Sequence, residues 1–345
     1  MAEKDNIGAC RATEPIDFVI PWVDGLDPSW QSERAKYSSL ESSGAEAKWN
    51  AGAQRYRDWG VLKYWFRGVD KFAPWVRKIH FVTWGHVPDW LDTANPRLNI
   101  VRHQDYIPEK YLPTFSSHTI ELNFHRLPGL ARQFVYFNDD MFPVSPLKPT
   151  DFFTHGLPRD AAIESAIHLT QNGIRAEIDD LYIINANFDK RKCRRGNFFK
   201  WWNPLYKGKL IRSLLSLPYG NFIGFFIEHA SVAYLKDTFE EVWAKEETKL
   251  DETCRHKFRT PGDVNQWLMQ YWQFASGKFS PRSTSFAKSF EGFDKFDAAC
   301  EAIAKGKYKV VCWNDSPDIE NFEAAKTKLA NAFERRLGDK CSFER

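Results

Sequence analysis

The feature that most constrains this chain is a succession of four short apolar runs, each closed by polar residues. Ile16 to Val23 (IDFVIPWV) is followed by DGLDP, and Lys78 to Trp84 (KIHFVTW) by Gly85 and His86. Leu98 to Arg102 (LNIVR) is followed by His103 and Asp105, and Gln133 to Phe137 (QFVYF) by Asn138, Asp139 and Asp140. Short runs rich in β-branched and aromatic residues, bounded by turn signals, read as buried strands. Between them the period changes. Val61, Leu62, Trp65, Phe66 and Val69 fall at helical spacing within 55–72. Ile120, Phe124 and Leu127 do the same behind Ser116 or Ser117, either of which could cap a helix. Strands alternating with helices predict an α/β fold with a mostly parallel sheet. Ligands of open α/β sheets bind beyond the carboxyl ends of the strands, so the four polar clusters are expected to line one cleft.

The later chain is less regular. Residues 155–195 read as an insertion or lid, and 232–247, 262–277 and 316–336 as helices. The stretch 190–212 (KRKCRRGNFFKWWNPLYKGKLIR) holds nine Lys and Arg, five aromatics and no acid. A phosphate site, a nucleic-acid groove or an anionic membrane surface could use that mixture, and so could a solvated basic face with its aromatics turned inward. The whole chain has 48 Lys and Arg against 45 Asp and Glu, a net charge of +3, which argues against a dedicated nucleic-acid binder. Its 28 Phe, 14 Trp and 12 Tyr suit stacking on sugars or bases, or an aromatic-rich core. The six cysteines form no CxxC pair, so their spacing offers no zinc-ligand pair. The segment MAEKDNIGACRATEP lacks the apolar core of a signal peptide, which predicts a reducing cytoplasm. No apolar run approaches the ~18 residues of a membrane span, so any membrane contact is expected at the surface.

The acidic pairs carry the candidate chemistry. Mg²⁺ takes one or two carboxylates and completes its shell with water and substrate phosphates. Asp139 and Asp140 at a strand end suit that demand, although a turn or helix cap also favours Asn and Asp. Residues 312–315 (CWND) repeat the theme with Asn314 and Asp315. His229 follows an apolar stretch in FFIEHA and reads either as a satisfied core histidine or as a catalyst. Arg259 in RTPGD could grip a phosphate by a forked contact or pair with Asp263.

Taken together these stretches resemble the Stealth family of sugar-1-phosphate transferases. That family includes bacterial capsule polymerases and the catalytic subunit of the animal lysosomal N-acetylglucosamine-1-phosphotransferase. The resembling blocks are IDFVIPWVDGLDPSW; the long run from RYRDWGVLKYWFRGVDKF to VYFNDDMF; NFFKWWNPLYKGKLIRSLLSLP through GFFIEHA, with RTPGDVNQWLMQYW beyond; and VCWNDSPDIENFE. Departures are Pro21 where the family usually has Thr, Trp59 after Asp58 where Asn is frequent, and Ala230-Ser231 after His229 where a proline often follows.

The resemblance implies a Rossmann-like, nucleotide-sugar-transferase-like core and a single catalytic domain over 1–345. In that division 1–15 is a flexible N-terminus and 196–345 completes the site. It implies transfer of a sugar 1-phosphate from a nucleotide-sugar, usually a UDP-sugar, to a hydroxyl of a glycan or lipid-linked glycan, with release of a nucleoside monophosphate. Mg²⁺ or Mn²⁺ is the expected cofactor, on Asp139 and Asp140 with Asp315. His229 is expected as general base and Arg259 as the phosphate-neutralising cation. Asp24, Asp27, Arg55, Asp58 and Asn138 are expected on the donor, and Glu121, His125 and Arg126 on donor or acceptor. The expected place is the cytoplasm, at the inner face of the cell membrane if the basic-aromatic segment docks there, with no nucleic-acid partner. Two alternatives stand beside this: a metal-dependent glycosyltransferase that releases a nucleoside diphosphate, and a non-catalytic glycan-binding module.

Overall fold

The computed structural model describes residues 14–38, 58–167, 175–315 and 319–345, so Arg55 lies outside the described residues. The strands, in chain order, are β1 (Ile16–Trp22), β2 (Ile79–Thr83), β3 (Leu98–Arg102), β4 (Gln133–Tyr136), β5 (Met141–Pro143), β6 (Phe153–Thr154), β7 (Leu157–Asp160), β8 (Val232–Leu235), β9 (Ser280–Pro281), β10 (Ala287–Glu291) and β11 (Val310–Asn314). The central sheet has the order β3-β2-β1-β4-β8. Its first four strands run parallel, and β8 closes one edge antiparallel to β4. This is the α/β fold with a mostly parallel sheet anticipated from the four apolar runs, in the Rossmann-like form that the family resemblance implied.

Those runs are apolar at most positions because both faces of the sheet are covered. Alternate residues point to opposite sides. Phe18, Ile20, Phe81, Val135 and Phe137 enter one apolar cluster, while Val19, Val82, Phe134 and Tyr136 enter the other. Helix Leu62–Phe72 lies in the first cluster and buries Leu62, Trp65, Phe66 and Val69. It begins later than the 55–72 pattern suggested, because Asp58 and Gly60 form a turn before it. Likewise the helix expected over 116–127 is Ser117–Leu122, followed by a 3₁₀ turn at Phe124–Arg126.

One expectation is corrected. Residues 232–247 are not one helix. Val232–Leu235 is too short and apolar to be assigned by period alone, and it pairs with β4 as a buried strand before helix Lys236–Arg255 begins.

A second sheet, β10-β11-β5, carries helices Phe296–Lys305 and Phe322–Leu337. It shares the first apolar cluster with the central sheet. Gly68 makes this docking possible: a Cβ there would lie 2.4 Å from the carbonyl oxygen of Pro143 in β5. The chain passes from the central sheet to the second one directly from β4 to β5, through Phe137, Asn138, Asp139 and Asp140.

The described parts of the segment read as an insertion or lid pack into the fold. β7 pairs with β6 and β9, and helix Arg175–Asn187 packs on helix Trp267–Ala275 with Ile183, Ile184 and Asp180 buried. Within the basic stretch, Lys190 and Arg194 turn inward to a single buried carboxylate, Glu164, at 2.8 and 2.6 Å. Lys190 also donates to the carbonyls of Ser216 and Asn221, and Arg194 to the hydroxyl of Ser216.

Candidate active site

The strand order reverses at β1 and β4, and the crevice beyond their carboxyl ends is where open α/β sheets bind ligands. The loops after both strands carry acids. After β1, Asp24 donates its backbone N–H to His86 Nε2 at 2.7 Å, and its carboxylate accepts from Leu26 N. Asp27 caps helix Pro28–Ala35 by accepting from Trp30 N at 2.8 Å, with His86 Nδ1 3.7 Å from its other oxygen. Asp-Pro at a helix start is a cap signal, so Asp27 shapes the loop as well as bordering the cleft. Burial lowers the pKa of His86 against the opposing charges of Asp27 and Asp24. His103, after β3, is buried near it and pushed down to about 4 by that burial and by His86. The polar ends of β1, β2 and β3 thus meet around His86.

The end of β4 gathers a denser set. His229 Nε2 lies 3.5 Å from Asp140 Oδ2 and 3.4 Å from Asn138 Nδ2. The Tyr136 hydroxyl sits between Asn138 and Glu121, donating to Glu121 Oε1 at 2.7 Å. Arg259 donates to the Ser117 hydroxyl, and Ser117 in turn bonds the Glu121 carboxyl. Burial pushes the pKa of Glu121 up, against the pull of the Arg259 charge and the Tyr136 and Ser117 bonds. For His229, burial opposes protonation, but the Asp140 bond and charge, with Glu121 and Glu291, prevail and raise its pKa. Residues far apart in sequence, Glu121, Asp140, His229 and Arg259, therefore form one electrostatic unit.

Asp139 is open to solvent at the mouth of the cleft. The protein around its carboxylate and the adjacent Asp140 charge nonetheless push its pKa up, to about 7, with a smaller push from Asp58. Asp140 Oδ1 is buried and has no hydrogen-bond partner among the described residues. Two mutually repelling carboxylates, one with an orphaned oxygen, are a donor set that fits a divalent cation.

β11 supplies a further neighbour. Trp313 N donates to the Asp140 carbonyl at 3.0 Å, and Cys312 pairs with Met141. That register places Asn314 and Asp315 at the strand end beside the acidic turn. Among the described residues, the donors grouped within 4.8 Å of one another are Asp140, His229 and Cys312. Asp315 and Asp139 are not in that group. The Cys312 thiol is pushed well up by burial and by Asp140, so it is a neutral wall of the site. Sequence spacing could not reveal this cysteine, because the trio comes from three separate segments.

Two candidates lie elsewhere. His125 is buried against Phe239 and Trp243, and burial, with Arg126 and Lys236, drives its pKa down to about 3. Arg126 lies over the Trp243 ring and donates to Asn123. Both serve the packing of helix Lys236–Arg255. Asp58 caps Gly60 and borders the site through its charge on Asp139. Tyr136 and Ser117 were missed as site residues. Tyr136 lies two residues before Asn138 inside an apolar run, and the sequence around Ser117 signals only a helix cap.

Comparison with known proteins identifies the family. The family models described as Stealth protein CR1, conserved region 1, and Stealth protein CR2, conserved region 2, match residues 14–41 and 55–160. The capsular polysaccharide phosphotransferase WcwK of Streptococcus pneumoniae is 39% identical over 337 residues, covering 96% of this chain and 98% of that protein. The receptor polysaccharide phosphotransferase WefC of Streptococcus oralis is 39% identical over 332 residues, covering 95% and 99%. Among solved structures, the galactosyltransferase LgtC in complex with donor and acceptor sugar analogs overlays with a TM-score of 0.38 at 7% identity, over 91% of this chain and 95% of that one, too loosely to carry an argument. Full-length similarity at this level, together with the two matched regions, makes the chain a member of the Stealth family.

Proposed function

We propose that this protein transfers a sugar 1-phosphate from a nucleotide-sugar, a UDP-hexose or UDP-N-acetylhexosamine, to a hydroxyl of an acceptor glycan in surface polysaccharide synthesis. The observation that carries the proposal is the meeting of Asp140, His229, Glu121 and Arg259 at the switch point of the sheet. Relatives along the whole chain are named polysaccharide phosphotransferases.

The acceptor oxygen attacks the phosphorus that bears the sugar. A P–O bond forms to the acceptor, the P–O bond to the nucleoside phosphate breaks, and nucleoside monophosphate leaves with the electron pair. The His229 imidazole takes the acceptor proton, with Asn138 and Asp140 lying beside its Nε2. Arg259, held by Ser117 and facing Glu121, neutralises the phosphoryl oxygens. Asp139 and Asp140 would hold Mg²⁺ or Mn²⁺, which supplies charge neutralisation on the diphosphate. A cation on Asp140 would offset the carboxylate charge that contributes to raising the His229 pKa, and so would favour a ring able to accept a proton. Asp24, Asp27 and Asp58 border the donor side. Both sheets contribute to the site, so the chain acts as one catalytic unit.

The test is to supply UDP-sugars, a divalent cation and acceptor glycan, and identify the nucleotide released. UMP supports the proposal. UDP would make the protein an ordinary glycosyltransferase, and metal-independent glycan binding without turnover would make it a binding module.

A further inference from the structure

The large apolar side chains left in solvent are concentrated in one stretch. Phe198, Phe199, Ile211, Leu214, Leu215 and Leu217 are all exposed, Phe199 by 83% and Leu215 by 71%. The exposed cations Arg191, Lys192 and Arg195 immediately precede them, and Lys207 and Arg212 lie among them. The arrangement follows from the Glu164 pin. Lys190 and Arg194, four apart on helix Lys190–Gly196, point inward to Glu164, so Arg191 and Arg195 face out. Ser213 and Ser216 also turn inward to the same centre, through bonds to Glu164 N and Arg194, so Leu214, Leu215 and Leu217 face out beside them.

We propose that this face docks on an anionic lipid surface, with the apolar side chains entering the headgroup region and the cations meeting the lipid phosphates. An apolar face rimmed by Lys and Arg is the composition that lies in a membrane interface. Among the described residues no helix is long and apolar enough to cross a membrane. A second copy of this chain fits the face poorly. From Lys190 to Ile227 the chain carries nine Lys and Arg and no acid, so a self-pair would set cations against cations. Single-stranded nucleic acid needs stacking platforms, and most of the exposed apolar side chains are aliphatic. Lys209, within the same stretch, pairs with Glu228 at 3.4 Å, one residue before His229, so docking of this stretch would bring the proposed acceptor side towards the membrane. Resting on the proposed transfer reaction, this makes a lipid-linked glycan the acceptor class.

Vesicle co-sedimentation with the full chain tests it, using phosphatidylcholine with and without phosphatidylglycerol. The wild type is expected to pellet with the anionic vesicles and much less with the neutral ones. Arg191→Ala with Arg195→Ala should weaken that binding about fivefold per cation removed, and Phe199→Ser with Leu215→Ser about tenfold or more. Both variants should keep wild-type turnover of a water-soluble acceptor and an unchanged circular dichroism spectrum. Absence of vesicle binding by the wild type overturns the proposal. So does a wild-type dimer in light scattering that Phe199→Ser with Leu215→Ser dissociates while vesicle binding is unchanged. Vesicle binding without sugar-phosphate transfer would sink the proposed reaction and leave the docking surface standing.

Discussion

Replacing Glu164 by Ala should destabilise the protein through one identifiable centre. The carboxylate is fully buried and accepts from Lys190 Nζ at 2.8 Å, Arg194 Nη2 at 2.6 Å and Ile223 N at 3.2 Å. Removing it leaves two cations nearly excluded from water. Breaking a buried ion pair from one side costs about 3–5 kcal/mol. The loss is not doubled. Lys190 keeps two carbonyl acceptors, and burial already lowers its pKa against the pull of Glu164, so it can shed its proton. Arg194 cannot, and among the described residues it retains only Ser216 and the faces of Trp201 and Trp202. With an unfolding entropy of about 2.1 cal/mol/K per residue, 3–5 kcal/mol corresponds to a fall in Tm of roughly 4–7 °C. Differential scanning calorimetry measures it, and hydrogen exchange should locate the loosening in 190–229. Adding Lys190→Met and Arg194→Met to Glu164→Met should recover most of the loss, because an apolar replacement leaves no charge behind. A Glu164→Ala variant within about 1 °C of wild type, or a triple variant no better than the single one, would refute the reasoning.

Other outcomes can be checked as directly. Asp140→Asn should lower kcat by about 10²–10³-fold while circular dichroism stays unchanged, since it removes the carboxylate shared by His229 and the proposed cation. Zn²⁺ should inhibit by taking Asp140, His229 and Cys312, and Cys312→Ser should raise the inhibitory concentration about tenfold while leaving Mg²⁺ activation in place, as read from metal titrations of turnover. Asp17 is buried, which raises its pKa, but bonds to His80, Arg77 and Ala131 N outweigh that and hold it below the ordinary value. Its contribution is therefore present above the ordinary carboxylate pKa and lost as the pH falls below it, and Asp17→Asn should lower Tm at pH 7 while flattening the decline in acid. Gly68→Ala should drive helix Leu62–Phe72 from Pro143 and lower both Tm and kcat, because β5 carries the end of the acidic turn.

The four parallel strands were legible because strands covered on both faces are apolar at nearly every position, which leaves a run such as IDFVIPW broken only by the paired Asp17. The acidic end of β4 was legible for the converse reason: Asn-Asp-Asp beyond such a run has little apolar surface to bury. The strand Val232–Leu235 was not, because four apolar residues fit a helix or a strand equally and β4, about a hundred residues earlier, decides. Arg259 and His229 entered as isolated residues, and their common partner Glu121 emerges only when the helix at Ser117 is folded over β4. His125 and Arg126 looked like site residues by type, but their surroundings are set by Trp243 on a distant helix. Cys312 carried no signal at all, since a single cysteine in an apolar strand is ordinary.

The acidic turn belongs to neither sheet. Phe137 N still donates to Val19 of the central sheet, while the carbonyl of Asp140 is already bound by Trp313 of the second. The spacing of the two carboxylates is therefore a gauge of how the sheets are seated on each other. Substitutions in that seam, around Gly68, Pro143 and Phe333, should behave as remote modulators of catalysis. They would alter turnover while leaving every proposed catalytic residue in the sequence, and temperature-sensitive alleles of this protein are expected to collect there.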